Sequence, residues 1–150
     1  MKPLAPPTAD RRRFLLQAAG TLACVACSSS SMDQSPASGP IAAGKVAAVA
    51  VGSLTPIGDH PVVLGRDARG LYAMSTICTH RSCNMRNDGS VSASGLVCDC
   101  HGSRFDANGG VTVGPATKAL DHYRVELATD GTITVQASQI VGADVRTVVA

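Results

Sequence analysis

Two short segments limit what this chain can become more than any other feature. They are Cys78-Thr79-His80-Arg81-Ser82-Cys83 and Cys98-Asp99-Cys100-His101-Gly102-Ser103-Arg104-Phe105. Each offers a thiol and an imidazole within four residues, and an extended backbone cannot converge such side chains, so both segments must be turns. The chain between His80 and Cys98 is long enough for a hairpin that brings the two turns face to face. Two sulfur and two nitrogen ligands on paired loops suit a single zinc ion or an iron–sulfur cluster. The Cys-x-His spacing is tighter than the C-x(2–4)-C with H-x(3–5)-H pattern of zinc sites, which favours the cluster. Cys83 and Cys100 are left over in matching positions, and if the loops face each other they can pair as a disulfide.

Everything around these segments reads as β structure. The 150 residues are about one domain's worth of chain, with 15 Gly and 8 Pro for turns and no Trp. Lys45–Leu54 and Pro61–Arg66 are rich in β-branched residues, and Leu71–Ile77 follows a turn at residues 67–70. Tyr123, Val125 and Leu127 alternate with polar residues before Thr129-Asp130-Gly131 turns the chain into Thr132–Gln136. No helical period follows residue 45, which predicts an all-β domain over residues 45–150. The last fourteen residues, 137–150, suit either an extra strand or a tail. His60 and His122 read as solvated or structural histidines, and Met74 as core.

Ahead of this domain lie two segments of different character. Residues 1–27 carry Arg11 and Arg12 just before an apolar run from Phe14 to Cys27, which resembles a twin-arginine export signal. As a helix that run would span ~21 Å against a hydrocarbon core of ~30 Å, too short for a stable anchor. A small residue precedes both Cys24 and Cys27, and a Ser tract follows, resembling a lipoprotein attachment box with Cys27 favoured over Cys24. Cleavage nearby, or an uncleaved short anchor, are the other readings. Residues 28–44 form a Ser/Pro/Ala linker, with a reach of ~23 Å if flexible. The formal charge of +2 comes from the amino terminus; residues 27–150 hold nine Lys/Arg against ten Asp/Glu. Such a domain has no basic cluster for a run of phosphates, which excludes nucleic acid as a partner.

CTHRSC, CDCHGSRF and the later Gly114-Pro115-Ala116 together resemble the Rieske iron–sulfur family, in its disulfide-containing branch. That branch includes the Rieske subunits of cytochrome bc and bf complexes and the small subunits of arsenite oxidases. The resemblance covers residues 45–136. It implies an antiparallel β sandwich with a small cluster-binding subdomain of two facing loops. It further implies one 2Fe–2S cluster, with one iron held by Cys78 and Cys98 and the other by His80 and His101. By the same resemblance Cys83 and Cys100 form a disulfide, Ser103 donates to a bridging sulfide, and the loop of Gly114 and Pro115 covers the cluster. Arg81 and Ser82 depart from the Leu and Gly usual in quinol-oxidising subunits, and Phe105 stands where many high-potential members carry Tyr. Rieske ferredoxins of ring dioxygenases lack the extra cysteine pair.

The function so implied is one-electron transfer, not catalysis by the chain alone. The leading expectation is an exported, membrane-tethered electron carrier serving a respiratory or periplasmic oxidoreductase. The alternatives are the Rieske subunit of a quinol–cytochrome c or plastocyanin reductase, the small subunit of a molybdenum enzyme, and a structural zinc module. Expected partners are accordingly a quinol-oxidising membrane subunit, a cytochrome or a molybdenum enzyme.

Overall fold

The computed structural model describes residues 35–150. The export signal, Cys24, Cys27 and the first seven residues of the linker, 28–34, lie outside the described residues. Ten strands make two antiparallel sheets, and among the described residues the sole helical element is a 3-10 turn at Val46–Ala48. The larger sheet runs in the order β1-β10-β9-β4-β3-β2. Its strands are β1 (Pro40–Lys45), β2 (Ser53–Pro56), β3 (Val62–Asp67), β4 (Gly70–Ser75), β9 (His122–Leu127) and β10 (Thr132–Val141). The smaller sheet follows the chain: β5 (Gly89–Ser92), β6 (Gly95–Cys98), β7 (Arg104–Asp106) and β8 (Val111–Val113).

The small sheet and both cysteine loops form one insertion between β4 and β9. Those two strands pair with each other, Ala73 opposite Tyr123 and Met74 opposite His122. Where they part, the Ser75 N–H still donates to the Asp121 carbonyl at 2.9 Å. Two apolar clusters follow from this division. One, including Ile41, Leu64, Leu71, Ile133 and Val135, belongs to the larger sheet. The other, including Met74, Met85, Leu96 and Phe105, contains the Cys78 and Cys98 side chains and supports the loops from beneath.

The fold begins earlier than Lys45, because β1 takes Pro40–Lys45 from the segment read as linker. Ile41 is its one large apolar side chain and is 2% exposed. The strand is otherwise specified by its ladder, Pro40 opposite Gln136 and Ala42 opposite Thr134, which backbone groups supply whatever the side chains. The expected strand over Lys45–Leu54 is likewise interrupted. The Arg66 guanidinium donates to the Val49 carbonyl at 2.9 Å, satisfying in a turn a group that a strand would have paired.

The ambiguous carboxyl terminus proves to be both strand and pinned tail. β10 continues to Val141 past a bulge between Gln136 and Ile140. Beyond it, Leu71 and Thr147 exchange backbone hydrogen bonds of 2.9 Å. The Arg146 side chain is 5% exposed; its Nε donates to Asp67 at 2.7 Å and its guanidinium lies 4.1 Å from the Tyr72 ring centre. His122 is structural and buried, its ring stacked on Tyr72 at 6.2 Å; His60 is exposed. Met74 is fully buried.

Candidate metal centre

The two loops have the same backbone design. In the first, the Cys78 N–H donates to the Cys83 carbonyl at 2.8 Å, and the Ser82 N–H to the Cys78 carbonyl at 2.9 Å. In the second, Cys98 N–H donates to Ser103 O and Gly102 N–H to Cys98 O, each at 2.9 Å. Each loop therefore starts on a buried cysteine and closes on itself five residues later. Closing so tight a loop puts its fifth residue in the left-handed region, with Ser82 at φ 58° and Gly102 at φ 82°. Gly102 takes that conformation without a Cβ penalty. Ser82 is the only non-glycine with positive φ among the described residues.

The loops face each other, and the Cys83–Cys100 disulfide joins them with Cα atoms 6.7 Å apart. Across the same gap the His80 and His101 rings meet edge to face, their centres 4.7 Å apart. Cys78 and Cys98 are free, fully buried thiols. Burial raises the Cys98 pKa, and the adjacent Cys78 thiol raises it further. The backbone N–H groups of Cys100 and His101 hydrogen-bond to its sulfur and pull the other way. Burial also holds His80 below the usual imidazole value, with the nearby His101 and Arg81 charges adding to the effect.

The donor set fits a metal group. His80 Nδ1 is buried and has no hydrogen-bond partner in the protein. A buried imidazole nitrogen without a partner costs about 1–3 kcal/mol, and ligation removes that cost. The same two loops carry two buried thiols that no disulfide consumes. One iron could take the thiols and the other the imidazoles, as in a Rieske centre.

The third wall is the loop containing Gly114 and Pro115, which is fastened to both cysteine loops. Thr79 Oγ1 donates to the Lys118 carbonyl at 2.5 Å, and the Ala116 N–H donates to Ser103 Oγ at 3.0 Å. Ser103 is fully buried, and because its oxygen accepts from Ala116 its own proton is left to donate elsewhere. Phe105, 3% exposed, packs in the cluster beneath the cysteines and offers no hydroxyl. Arg81 is exposed at the apex of the first loop. The feature that sequence reasoning missed is the left-handed Ser82, whose signal was its alignment with Gly102 five residues into each loop.

Residues 40–124 match the family model described as the Rieske [2Fe-2S] domain. The cytochrome b6-f complex iron-sulfur subunit of Synechococcus sp. strain WH7803 is 40% identical over 87 residues, which are 57% of this chain and 46% of that protein. The chain thus spans less than half the length of the curated relatives it matches first. Among solved structures, the cyanobacterial plasma membrane Rieske protein PetC3 from Synechocystis PCC 6803 superposes with a TM-score of 0.50 at 27% identity. That match covers 65% of this chain and 99% of the other. A naphthalene 1,2-dioxygenase variant superposes with a TM-score of 0.52 at 23% identity over 68% of this chain and 26% of its own, a likeness of fold alone. With the paired loops, the disulfide and the match over residues 40–124, the chain belongs to the Rieske [2Fe-2S] family, whose domain carries one 2Fe–2S cluster.

Proposed function

We propose that this chain is a one-electron carrier in which Cys78 and Cys98 hold one iron of the cluster, and His80 and His101 the other. The observation that carries this reading is that the same two facing loops hold a pair of free, buried thiols, Cys78 beside Cys98, and a pair of imidazoles meeting edge to face, one of them presenting a buried, unpartnered Nδ1. A bound 2Fe–2S cluster supplies reversible one-electron exchange. A thiol gives up its proton when it coordinates metal, and burial makes that proton harder to remove from Cys98, so loading is favoured by rising pH. Each imidazole uses one ring nitrogen as ligand and keeps the other to hold a proton or pass it to a partner. His101 is exposed and His80 partly so, which leaves a short path for an electron and a proton to leave together.

We further propose export by a twin-arginine route through Arg11 and Arg12, and attachment to the membrane through a lipid on Cys27 or Cys24. The partner is then a redox protein at the membrane surface. Membership of a quinol-oxidising cytochrome complex is favoured by the first relatives, which are named as cytochrome b6-f subunits. The exposed charge of Arg81 opposes docking on an apolar surface and favours a carrier with a polar partner.

The test is metal and spectrum together. Protein made where clusters are assembled should contain about two irons per chain and give a reduced-state EPR signal with an average g below about 2. His80→Ala or His101→Ala should abolish that signal. Stoichiometric zinc without iron would overturn the reading. Lysine at positions 11 and 12 should strand the protein in the cytoplasm, and Cys27→Ser should release it from the membrane.

A further inference from the structure

The Cys83 and Cys100 sulfurs and one ring nitrogen of His101 all lie within 4.8 Å of one another. In the oxidised protein the sulfurs are bonded to each other and hold nothing else. Cys100 and His101 are exposed and Cys83 is half-buried, so the trio is open to solvent, unlike the buried Cys78 and Cys98. We propose that reduction of the Cys83–Cys100 disulfide opens a second metal site, in which the two thiolates and His101 bind a soft divalent cation such as zinc.

The chemistry balances. A dithiol or phosphine reductant delivers two electrons, and with two protons the disulfide becomes two thiols while the reductant is oxidised. Each thiol then gives its proton to solvent as it coordinates. Around tetrahedral zinc, with Zn–S ~2.3 Å and Zn–N ~2.0 Å, ligand atoms sit ~3.5–3.8 Å apart. Once the S–S bond is broken the two sulfurs are free to part, and the His101 nitrogen already lies within 4.8 Å of both. The exposed side supplies water as the fourth ligand. Zinc held there draws on His101, which the proposed cluster also uses. The disulfide thus guards the cluster by occupying the sulfurs that would otherwise recruit a competitor. This inference rests on the cysteine and histidine geometry. It adds to the proposed ligand set only the sharing of His101.

The experiment uses the full-length, cluster-loaded protein, untreated or reduced with a phosphine, incubated with zinc and freed of unbound metal. Reduced protein should take up one zinc per chain that untreated protein does not, with the cluster's visible absorption fading faster than in reduced protein without zinc. Alkylating the two thiols after reduction should abolish the uptake, as should the Cys83→Ser/Cys100→Ser variant. Cobalt in place of zinc should give thiolate-to-metal charge-transfer absorption in the reduced protein only. Equal uptake before and after reduction, uptake that survives alkylation, or no uptake on reduction would each overturn the proposal. Cluster assignment is tested separately by iron content and EPR of the untreated protein, so the two failures are distinguishable.

Discussion

Replacing Gly102 with alanine isolates the cost of the turn that closes the second cysteine loop. Its φ is +82°, and a Cβ built there meets nothing within 4 Å. The penalty is therefore one of backbone conformation alone, ~1–2 kcal/mol for a side-chain-bearing residue in the left-handed region. The smaller conformational freedom of unfolded alanine offsets ~0.4–1 kcal/mol of it. A net loss of about 1 kcal/mol lowers the thermal midpoint of a domain this size by ~5 °C and the urea midpoint by roughly half a molar. Ser82 occupies the same place in the first loop at φ 58°, so Ser82→Gly should move both midpoints the other way. Gly95→Ala is the control with a clash, because a Cβ there runs into the Phe105 carbonyl. Circular dichroism of disulfide-intact protein in urea measures all three. The reasoning fails if Gly102→Ala falls as far as Gly95→Ala, or if Ser82→Gly lowers the midpoint.

Voltammetry of Phe105→Tyr should show a potential raised by some tens of millivolts, and of Ser103→Ala a lowered one. A hydroxyl donor stabilises the added electron by about one hydrogen bond, ~1 kcal/mol. Burial depresses the His122 pKa below 6.5. Its contribution to stability is therefore complete above pH 6.5 and is lost as the pH falls toward the folded-state value, with a slope of up to ~1.4 kcal/mol per pH unit. His122→Gln should flatten that acid limb in urea titrations below pH 6.5; an unchanged limb would place the titration elsewhere. Arg146→Met should cost ~1–2 kcal/mol in urea unfolding, because it removes the 2.7 Å partner of Asp67, which keeps Arg69 at 3.3 Å, and the side chain that anchors the tail to Tyr72. A loss under ~0.5 kcal/mol would mean the tail is held by its backbone alone.

The chemistry of this chain was legible because thiols and imidazoles carry it, and their spacing survives any fold. CTHRSC and CDCHGSRF pointed to two facing loops, and in the structure the disulfide and the histidine pair bring them together. Strands with large β-branched residues, such as Val62–Asp67, were legible for the same reason. β1 was not, since five of its six residues are Pro, Ala, Gly or Lys and its place comes from a ladder with β10. The tail was illegible because Arg146, a residue usually read as solvated, is buried by partners far away in sequence, Asp67 and Tyr72. Ser82 went unnoticed as a left-handed residue because nothing in its side chain announces it. Its alignment with Gly102, at the same place in the matching loop, does.

The insertion leaves and rejoins the larger sheet at neighbouring points, Ser75 and Asp121, already joined by a 2.9 Å hydrogen bond. A module attached this way is a graft. Removing residues 76–120 and closing the gap with an Asn-Gly turn would convert β4 and β9 into an ordinary hairpin, with the register they already have. Conversely, the excised lobe has ends close enough to be set into another antiparallel hairpin. The metal-binding part is thus an insertion with adjacent ends, and a receiving sheet would have to supply counterparts of Val63, Tyr72 and Met74, which complete the apolar cluster beneath the loops.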